Sequence, residues 1–138
     1  MVRVVVRRYA VKADSPAAGW VPVSYPIGAG SVELRWGSRD NILALCRGYT
    51  RPRGRPIVGD VWLAPALRGK KNERGVKYSA LVFGRMFAKI EALLGAFVLH
   101  VHPDNYAAKK LYSRLGLQPT GKTTAKGLEV WTSPLPRQ

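Results

Sequence analysis

The sequence is poor in the residues that build disulfides, metal sites and membrane spans. Its 138 residues include one cysteine and two histidines, which excludes an internal disulfide and does not predict a metal site. No apolar run approaches the roughly 20 residues needed to cross a bilayer. The first residues, MVRVVVRRYAV, are broken by arginines and do not fit a signal peptide or a membrane anchor. No Ser-His-Asp or Cys-His arrangement is readable either.

Acidic residues are also scarce. Eight acidic side chains stand against 23 lysines and arginines, which gives a formal net charge of +15. A charge of this sign attracts polyanions, including nucleic acid, phosphate-rich cofactors and acidic protein surfaces, and it repels small polycations. Cys46 lies in the apolar run ILALC. We expect a reduced, buried thiol there, which fits a soluble intracellular protein of the cytoplasm or nucleus.

The remaining composition is sufficient for one globular domain over residues 1–138. The hydrophobic fraction is 46%, which is ample for a core. Alternating and helical apolar spacings predict a mixed α+β fold in which four strands precede a long helix, a strand, a second helix and two more strands. Strands are predicted at residues 2–11, 31–36, 42–49, 57–63, 97–101, 117–120 and 128–132. Helices are predicted from Tyr78 to a stop at Gly95, and from a cap at Asp104 or Asn105 to about Leu115. Residues 12–30 are rich in proline, so no long helix fits there.

Two segments carry the chemistry. In IVGDVWLAPALRGKKNERGVKYSALVFGRM, a loop with glycine, arginine and lysine leads from a strand into the long helix. Backbone amides and cations at a helix start favour an anion, and a pyrophosphate is the natural ligand. In HPDNYAAKKLYSRLGL, helical spacing puts Asn105, Ala108 and Tyr112 on one face. The alanines permit a ligand to approach closely. Tyr112 can present its hydroxyl to a cavity, or be a core aromatic beside a capping Asn105.

Together these segments resemble the GNAT acetyltransferase superfamily over about residues 57–120. The matching positions are Val61, Leu63, Pro65, Leu99, Val101, Asn105, Ala108, Leu111, Tyr112, Gly116 and Leu117, the last replacing the usual Phe. The resemblance implies a mixed central sheet with two splayed parallel strands, a long cofactor-binding helix and a second C-terminal helix. Residues 12–30 would form a shortened version of the family's N-terminal helical region.

The resemblance also implies that acetyl-CoA lies between strands 57–63 and 97–101. Backbone groups of Trp62, Leu63 and Ala64 would pair with its pantetheine arm, and Asn105 and Ala108 would lie beside it. The pyrophosphate loop has two competing registers. One uses Arg68 and Gly69. The favoured register uses the amides of Arg74, Gly75, Val76, Lys77, Tyr78 and Ser79. It requires about six extra residues in the loop. It also puts Lys77 at a position where the family has glycine, so that the lysine would either contact a phosphate or block the cradle.

In this family an amine attacks the thioester directly. By that likeness the amide near Leu63 would polarise the thioester oxygen, and Tyr112 would protonate the leaving thiolate. The family's usual glutamate base is not evident here. His100 is the candidate base, because a histidine titrates near neutral pH and the LHVHP pattern puts it opposite Leu99 and Val101. Asp60 is a weaker alternative, since its position in the strand alternation fits poorly.

The acceptor amine is predicted to belong to a protein or another macromolecule. The short segment 12–30 implies an open acceptor site, and the positive charge disfavours polyamines. One alternative is a small-molecule amine acetyltransferase. Another is a non-catalytic GNAT-like module that binds nucleic acid through Arg51–Arg55 and Arg68–Arg74. The oligomeric state is not predicted.

Overall fold

The structure is a computed structural model that describes residues 22–38 and 40–133. The predicted strand at residues 2–11 and residues 12–21 of the proline-rich segment lie outside this part. The described residues form seven strands, one 3-10 turn and two helices. They are β1 (Val23–Gly28), β2 (Ser31–Ser38), β3 (Asn41–Tyr49), β4 (Ile57–Leu63), the 3-10 turn (Pro65–Leu67), α1 (Tyr78–Leu94), β5 (Val98–Val101), α2 (Tyr106–Arg114), β6 (Gln118–Thr123) and β7 (Glu129–Thr132).

The strands build one mixed sheet in the order β1-β2-β3-β4-β5-β7-β6. All neighbours are antiparallel except β4 and β5, which are parallel and are connected through α1. This parallel pair is short, with Ile57 opposite Val98 and Val58 opposite Leu99. Beyond these two positions the strands separate, which confirms the predicted splay of two parallel strands in a mixed α+β fold.

A β-bulge in β4 lies where this separation begins. Gly59 is opposite Arg47 and Trp62 is opposite Leu45, so β4 holds one more residue than β3 between these pairs. Asp60 sits in the bulge with a φ of 55°. Regular alternation from buried Val58 would direct Asp60 into the core. The bulge instead places its carboxylate on the opposite face of the sheet.

The strand β1, which ends the sheet formed by the described residues, was not predicted from the sequence. It contains Pro26, which stands opposite Val32 beside an irregularity in the register. Proline cannot donate a ladder hydrogen bond, so within sheets it is confined to positions such as this irregularity, where the regular pairing is broken. All six residues of β1 are exposed, so the strand also lacks the buried apolar alternation by which the other strands are recognised.

The main core lies between α1 and the sheet. The apolar residues of α1 recur every three or four positions and are buried against β2 and β3. Gly48 permits this close approach, because a Cβ there would lie 2.9 Å from Leu94 and 3.2 Å from Ile90. The helix ends as predicted at Gly95, whose φ is 92° and whose amide donates to Glu91. Among the described residues, no helix is both long and apolar enough to span a bilayer.

Replacement of Gly37 by alanine is expected to destabilise the β2–β3 hairpin severely. Gly37 has a φ of 115°, and a Cβ would lie 2.4 Å from the Asn41 carbonyl oxygen and 2.8 Å from the Leu43 nitrogen. Backbone strain and overpacking together should lower the free energy of unfolding by more than about 3 kcal/mol in urea titrations. Gly28→Ala is the control, because Gly28 has a φ of 107° with no atom within 4 Å and should lose only about 1 kcal/mol. Equal losses for both variants would show that the close contacts at Gly37 do not matter.

Candidate active site

A cleft of about 370 Å³ opens at the carboxyl end of β4. It lies between this strand end, the loop after the 3-10 turn, the start of α1, and α2. Its lining residues are Leu63, Arg68, Gly69, Lys77, Ser79, Ala80, Ala107, Ala108, Lys110, Leu111 and Arg114. The cleft therefore joins the two sequence segments that carry the predicted chemistry.

The lining combines positive charge with small apolar side chains. Arg68, Lys77, Lys110 and Arg114 bring four cations, and no acidic side chain belongs to the set. The alanines of α1 and α2 leave space between these cations. Phosphate groups fit the cations, and a narrow aliphatic arm fits the alanine-lined part. This donor set is suited to a phosphopantetheine cofactor.

The loop before α1 contains parts of both predicted registers. Residues 70–76 fold into a small hairpin, which is closed by a bridge between Lys71 and Lys77 and by hydrogen bonds from Tyr78 N to Lys70 O (3.1 Å) and from Asn72 N to Val76 O (2.8 Å). Arg68 and Gly69 enter the cleft before this hairpin, and Lys77 and Ser79 enter it afterwards. The extra residues are thus a self-contained insertion between the two halves of one loop.

The hairpin uses most of the amides that were expected to hold a pyrophosphate. Asn72 Oδ1 accepts from the amides of Arg74 and Val76, each at 2.9 Å, and the Asn72 carbonyl accepts from Gly75 at 2.9 Å. In this conformation these three amides are engaged within the hairpin. Among the described residues, the amides of Lys77 and Ser79 have no backbone acceptor, and both residues line the cleft. The Tyr78 amide between them is engaged by Lys70 O, so a pyrophosphate cradle here would rest on two separated amides and side-chain cations rather than on consecutive amides.

The Tyr78 side chain is a core group and does not line the cleft. It is 3% exposed and stacks on Trp36 with ring centroids 6.0 Å apart. The stacking fixes the first turn of α1 against β2. The cation and the amide on either side of it, Lys77 and Ser79, are thereby held at the rim of the cleft.

The end of β4 presents an open backbone edge. The Ala64 amide donates to Leu43 O in β3 at 2.8 Å, so the Leu63 amide points the other way, toward the gap between β4 and β5. The Leu63 carbonyl on this side accepts from Arg68 Nε at 2.8 Å. Trp62 lies on the opposite face of the sheet and is 37% exposed. Of the three residues predicted to pair with a pantetheine arm, Leu63 therefore offers the amide that faces the gap.

Tyr112 points from α2 into the core rather than lining the cleft. It is 7% exposed and packs against Phe87 and Trp131, with ring centroids 6.1 and 6.5 Å away. Burial, and to a lesser degree the nearby Cys46, raises the pKa of Tyr112 above its usual value, so the phenol is protonated at neutral pH. Within the part of the chain that the structure describes, its hydroxyl has no hydrogen-bond partner.

Asn105 caps α2, as one of its two predicted roles required. Its Oδ1 accepts from the Ala108 amide at 3.1 Å. The cap orients the first turn, which brings Ala107 and Ala108 to the wall of the cleft. Asn105 itself is exposed and does not belong to the lining.

The two candidate bases lie away from the cleft. His100 is exposed on β5, with buried Leu99 and Val101 facing the other side, as the alternation predicted. Asp60 lines a second, open hollow with Arg47 and Trp62 on the sheet face opposite α1. The carboxylate accepts hydrogen bonds from the Tyr49 hydroxyl and from Arg47 Nη1, the latter at 3.2 Å. The Tyr49 bond first, and Arg47 second, hold the pKa of Asp60 below its ordinary value, which makes it a weak base.

Arg47 also connects this hollow to a buried carboxylate. Its Nε donates to Glu33 at 2.8 Å, and Arg35 donates to the same carboxylate. Burial alone raises the pKa of Glu33, but the bonds from the two arginines outweigh it, and the pKa lies below its ordinary value. The arginines on this face are therefore paired with acids, unlike the cations of the cleft.

Comparison with solved structures identifies the fold. An acyl-CoA N-acyltransferase from Pseudomonas aeruginosa superposes with a TM-score of 0.58 at 17% identity, covering 78% of this chain and 70% of that one. A spermidine N-acetyltransferase from Vibrio cholerae, in complex with CoA and spermine, superposes with a TM-score of 0.57 at 16% sequence identity, covering 75% of this chain and 64% of that one. The ribosomal-protein-S18-alanine N-acetyltransferase from Escherichia coli superposes with a TM-score of 0.52 at 15% sequence identity, covering 81% of this chain and 74% of that one. No protein-family model and no curated protein matches the sequence. The chain has the fold of the GNAT acetyltransferases, and the predicted fold is confirmed.

Sequence reasoning missed several residues of the cleft. Ala80, Ala107, Lys110 and Arg114 line it but were not among the predicted cofactor residues. The sequence spacing could have identified Lys110 and Arg114. These two residues lie four positions apart, about one turn after the alanine pair, and so extend the same side of α2 with positive charge.

Loss of the Asn105 cap is expected to weaken α2 without removing a ligand contact. Asn105→Ala should lower the free energy of unfolding by about 1 kcal/mol, and Asn105→Ser, which keeps an acceptor, should lose only a few tenths. Urea titrations measure both. Acetyl-CoA affinity should change by less than about threefold in either variant. A tenfold loss of affinity in both variants, with stability unchanged, would instead make Asn105 a ligand contact.

Cys46 is expected to make the protein sensitive to alkali. Its thiol is fully buried, and burial, assisted by the charge of Glu33, raises its pKa from 9.0 to about 12. Below pH 9 the thiol is protonated in both folded and unfolded chains and adds no pH dependence. Between pH 9 and 12 only the unfolded chain releases the proton, so the free energy of unfolding should fall by about 1.4 kcal/mol per pH unit from this group. Urea titrations at pH 8, 10 and 11 should show a shallower fall for Cys46→Ala. Parallel curves would refute the assignment.

Proposed function

We propose that this protein is an acetyl-CoA-dependent N-acetyltransferase that acts on a primary amine. The observation that carries the proposal is the cleft at the open edge of β4, where four cations and a row of small side chains lie beside an unpaired strand edge. The GNAT fold is consistent with it. Two structures with this fold, by their names, acetylate spermidine and the alanine of a ribosomal protein, so the fold alone does not select the acceptor.

The residues of the cleft fit acetyl-CoA in two parts. Arg68 and Lys77, with the Ser79 amide, are placed to hold a pyrophosphate at the start of α1. Lys110 and Arg114 extend the positive surface along α2 toward a further phosphate. The alanines of α2 would flank the pantetheine arm, which would lie beside the end of β4.

The bound cofactor supplies an activated acetyl group as a thioester. The Leu63 amide, pointing into the gap, would donate to the carbonyl oxygen as negative charge develops there. Tyr112 is the proposed proton donor to the departing thiolate. Its side chain packs beside the cleft without lining it, so the proposal requires the thiolate to lie deeper than the cleft lining, against the core face of α2. Burial raises the pKa of Tyr112, which keeps the phenol protonated at neutral pH but makes it a weaker acid. Its packing between Phe87 and Trp131 would fix the ring for the transfer.

The attacking amine must lose a proton. We place this amine on the sheet face opposite α1, where both candidate bases lie. His100 is the better of the two candidate bases, because it is exposed and has no fixed partner among the described side chains. Asp60 is held ionised by Tyr49 and Arg47. We therefore assign proton acceptance to His100, directly or through water, and give Asp60 the role of fixing Arg47 and the β4 bulge.

The acceptor is proposed to be an amine on a protein or another macromolecule. The hollow beside Asp60 and Trp62 is open rather than enclosed, which suits an extended chain better than a small molecule. The net charge of +15 opposes the approach of polyamines. A small-molecule amine without excess positive charge is the alternative acceptor.

The cofactor site can be tested by calorimetry with acetyl-CoA. Lys110→Gln with Arg114→Gln should weaken binding by tenfold or more, because two charge-assisted contacts are lost. Lys122→Gln with Lys126→Gln removes the same charge from exposed positions outside the cleft and should change affinity by less than threefold. Equal losses in the two double variants, or no binding by the unmodified protein, would contradict the assignment.

Tyr112→Phe separates binding from chemistry. It should leave acetyl-CoA affinity within about threefold and lower kcat by about 10² or more, since it removes only a proton donor. The readout is CoA release with a set of peptides bearing free amines, with spermidine as the comparison. Equal turnover of spermidine and peptides would overturn the macromolecular acceptor, and an unchanged kcat in the variant would overturn the role of Tyr112.

A further inference from the structure

A second strongly basic surface lies at the opposite end of the sheet from the cleft. The loop between β3 and β4, residues 50–56, reads TRPRGRP and carries three arginines, all exposed. It precedes β4, whereas the cleft follows this seven-residue strand. At about 3.3 Å per residue the two ends of β4 are roughly 20 Å apart. The loop and the cleft are therefore separate surfaces.

The loop has a fixed shape. Arg51 Nε donates to the Arg55 carbonyl at 2.7 Å and closes the turn. Gly54 has a φ of 86°, and the Arg51 guanidinium lies over it, 3.2 Å from where a Cβ would be. Arg55 Nη1 donates to the Thr132 hydroxyl of β7. These contacts hold the backbone in place, so a ligand would not have to order it.

Among the described residues, no carboxylate pairs with the arginines of this loop. Within this part of the chain, the acids paired with arginine or lysine are Glu33, Asp60 and Glu129, and their partners are Arg35, Arg47 and Lys109. Arg51 bonds instead to the Arg55 carbonyl, and Arg55 bonds to the Thr132 hydroxyl. Arg53 has no partner among the described residues.

We infer that Arg51, Arg53 and Arg55 form a binding surface for the phosphate backbone of nucleic acid, independent of base sequence. Guanidinium groups match phosphate oxygens with paired donors, and three of them on one fixed turn can contact successive phosphates. An acidic protein is the less suitable partner. Protein interfaces need a packed apolar centre, and the loop offers only arginine, proline, glycine and threonine, while the exposed large apolar side chains lie on other segments.

This surface is tested on the full chain with a fluorescein-labelled 20-base-pair DNA duplex and a matching single strand of RNA, by anisotropy from 50 to 200 mM salt. Three phosphate contacts alone predict a loss of affinity of about 40-fold for the duplex over this range. The variant with Arg51→Gln, Arg53→Gln and Arg55→Gln should bind at least tenfold more weakly at 50 mM salt. Its slope of log affinity against log salt should be smaller by about 2 to 3.

The matched control carries Lys89→Gln, Lys122→Gln and Lys126→Gln, which removes the same net charge elsewhere. It should keep the slope within about 1 of the unmodified protein. The loop variant with three Arg→Lys changes should recover most of the salt-dependent affinity, and melting curves establish that each variant is folded.

Equal weakening of loop and control variants would overturn the inference, because net charge would then suffice. Polyglutamate binding as tight as that of either nucleic acid would also overturn it. Acetyl-CoA binding should be unchanged in the loop variant, so this result stands or falls separately from the proposed enzymatic function.

Discussion

The rest of the structure depends on how briefly β4 and β5 pair. Two residue positions on each strand are in register, after which the strands part. The bulge at Asp60 lies where they part and turns the remaining residues of β4 relative to β3. The separation leaves the backbone of Leu63 without a strand neighbour on one side. A sheet edge within the middle of a sheet is otherwise unfavourable, and here it forms one wall of a cleft.

Charge is distributed differently on the two faces of this sheet. On the face away from α1, Arg35 and Arg47 are paired with Glu33 and Asp60, and the site is close to electrically balanced. In the cleft, on the side of α1 and α2, the cations have no acidic neighbour in the lining. Under the proposed function, the anionic cofactor and the acceptor amine would approach the gap from opposite faces of the sheet, each in a different electrostatic environment. Direct transfer then requires the two reacting groups to be held together at that gap.

Local patterns were sufficient to predict the regular elements. The apolar spacing located α1, and the Asn105 cap and Gly116 delimited α2, because helix ends are set by nearby residues. The splay of β4 and β5 came from a family resemblance and not from the residues themselves. The β1 strand escaped prediction because Pro26 and six exposed positions hide its pattern. The hairpin at residues 70–76 escaped prediction because no apolar alternation marks it, and two of its hydrogen bonds depend on the Asn72 side chain. The depth of Tyr112 and the position of Lys110 and Arg114 in the cleft depend on how helices pack, which a single sequence does not specify.

The hairpin inserted before α1 has a kinetic consequence. It adds Lys70, Lys71 and Arg74 as exposed cations, against one exposed acid, Glu73, on the loop that leads into the cleft. Charges near a binding site speed the encounter of an anionic ligand more than they tighten its final complex. Acetyl-CoA and CoA carry the same phosphates, so this attraction acts equally on the incoming cofactor and on the departing product. Under the proposed function, the entrance that hastens capture also favours rebinding of the spent carrier, and turnover would be governed by its escape.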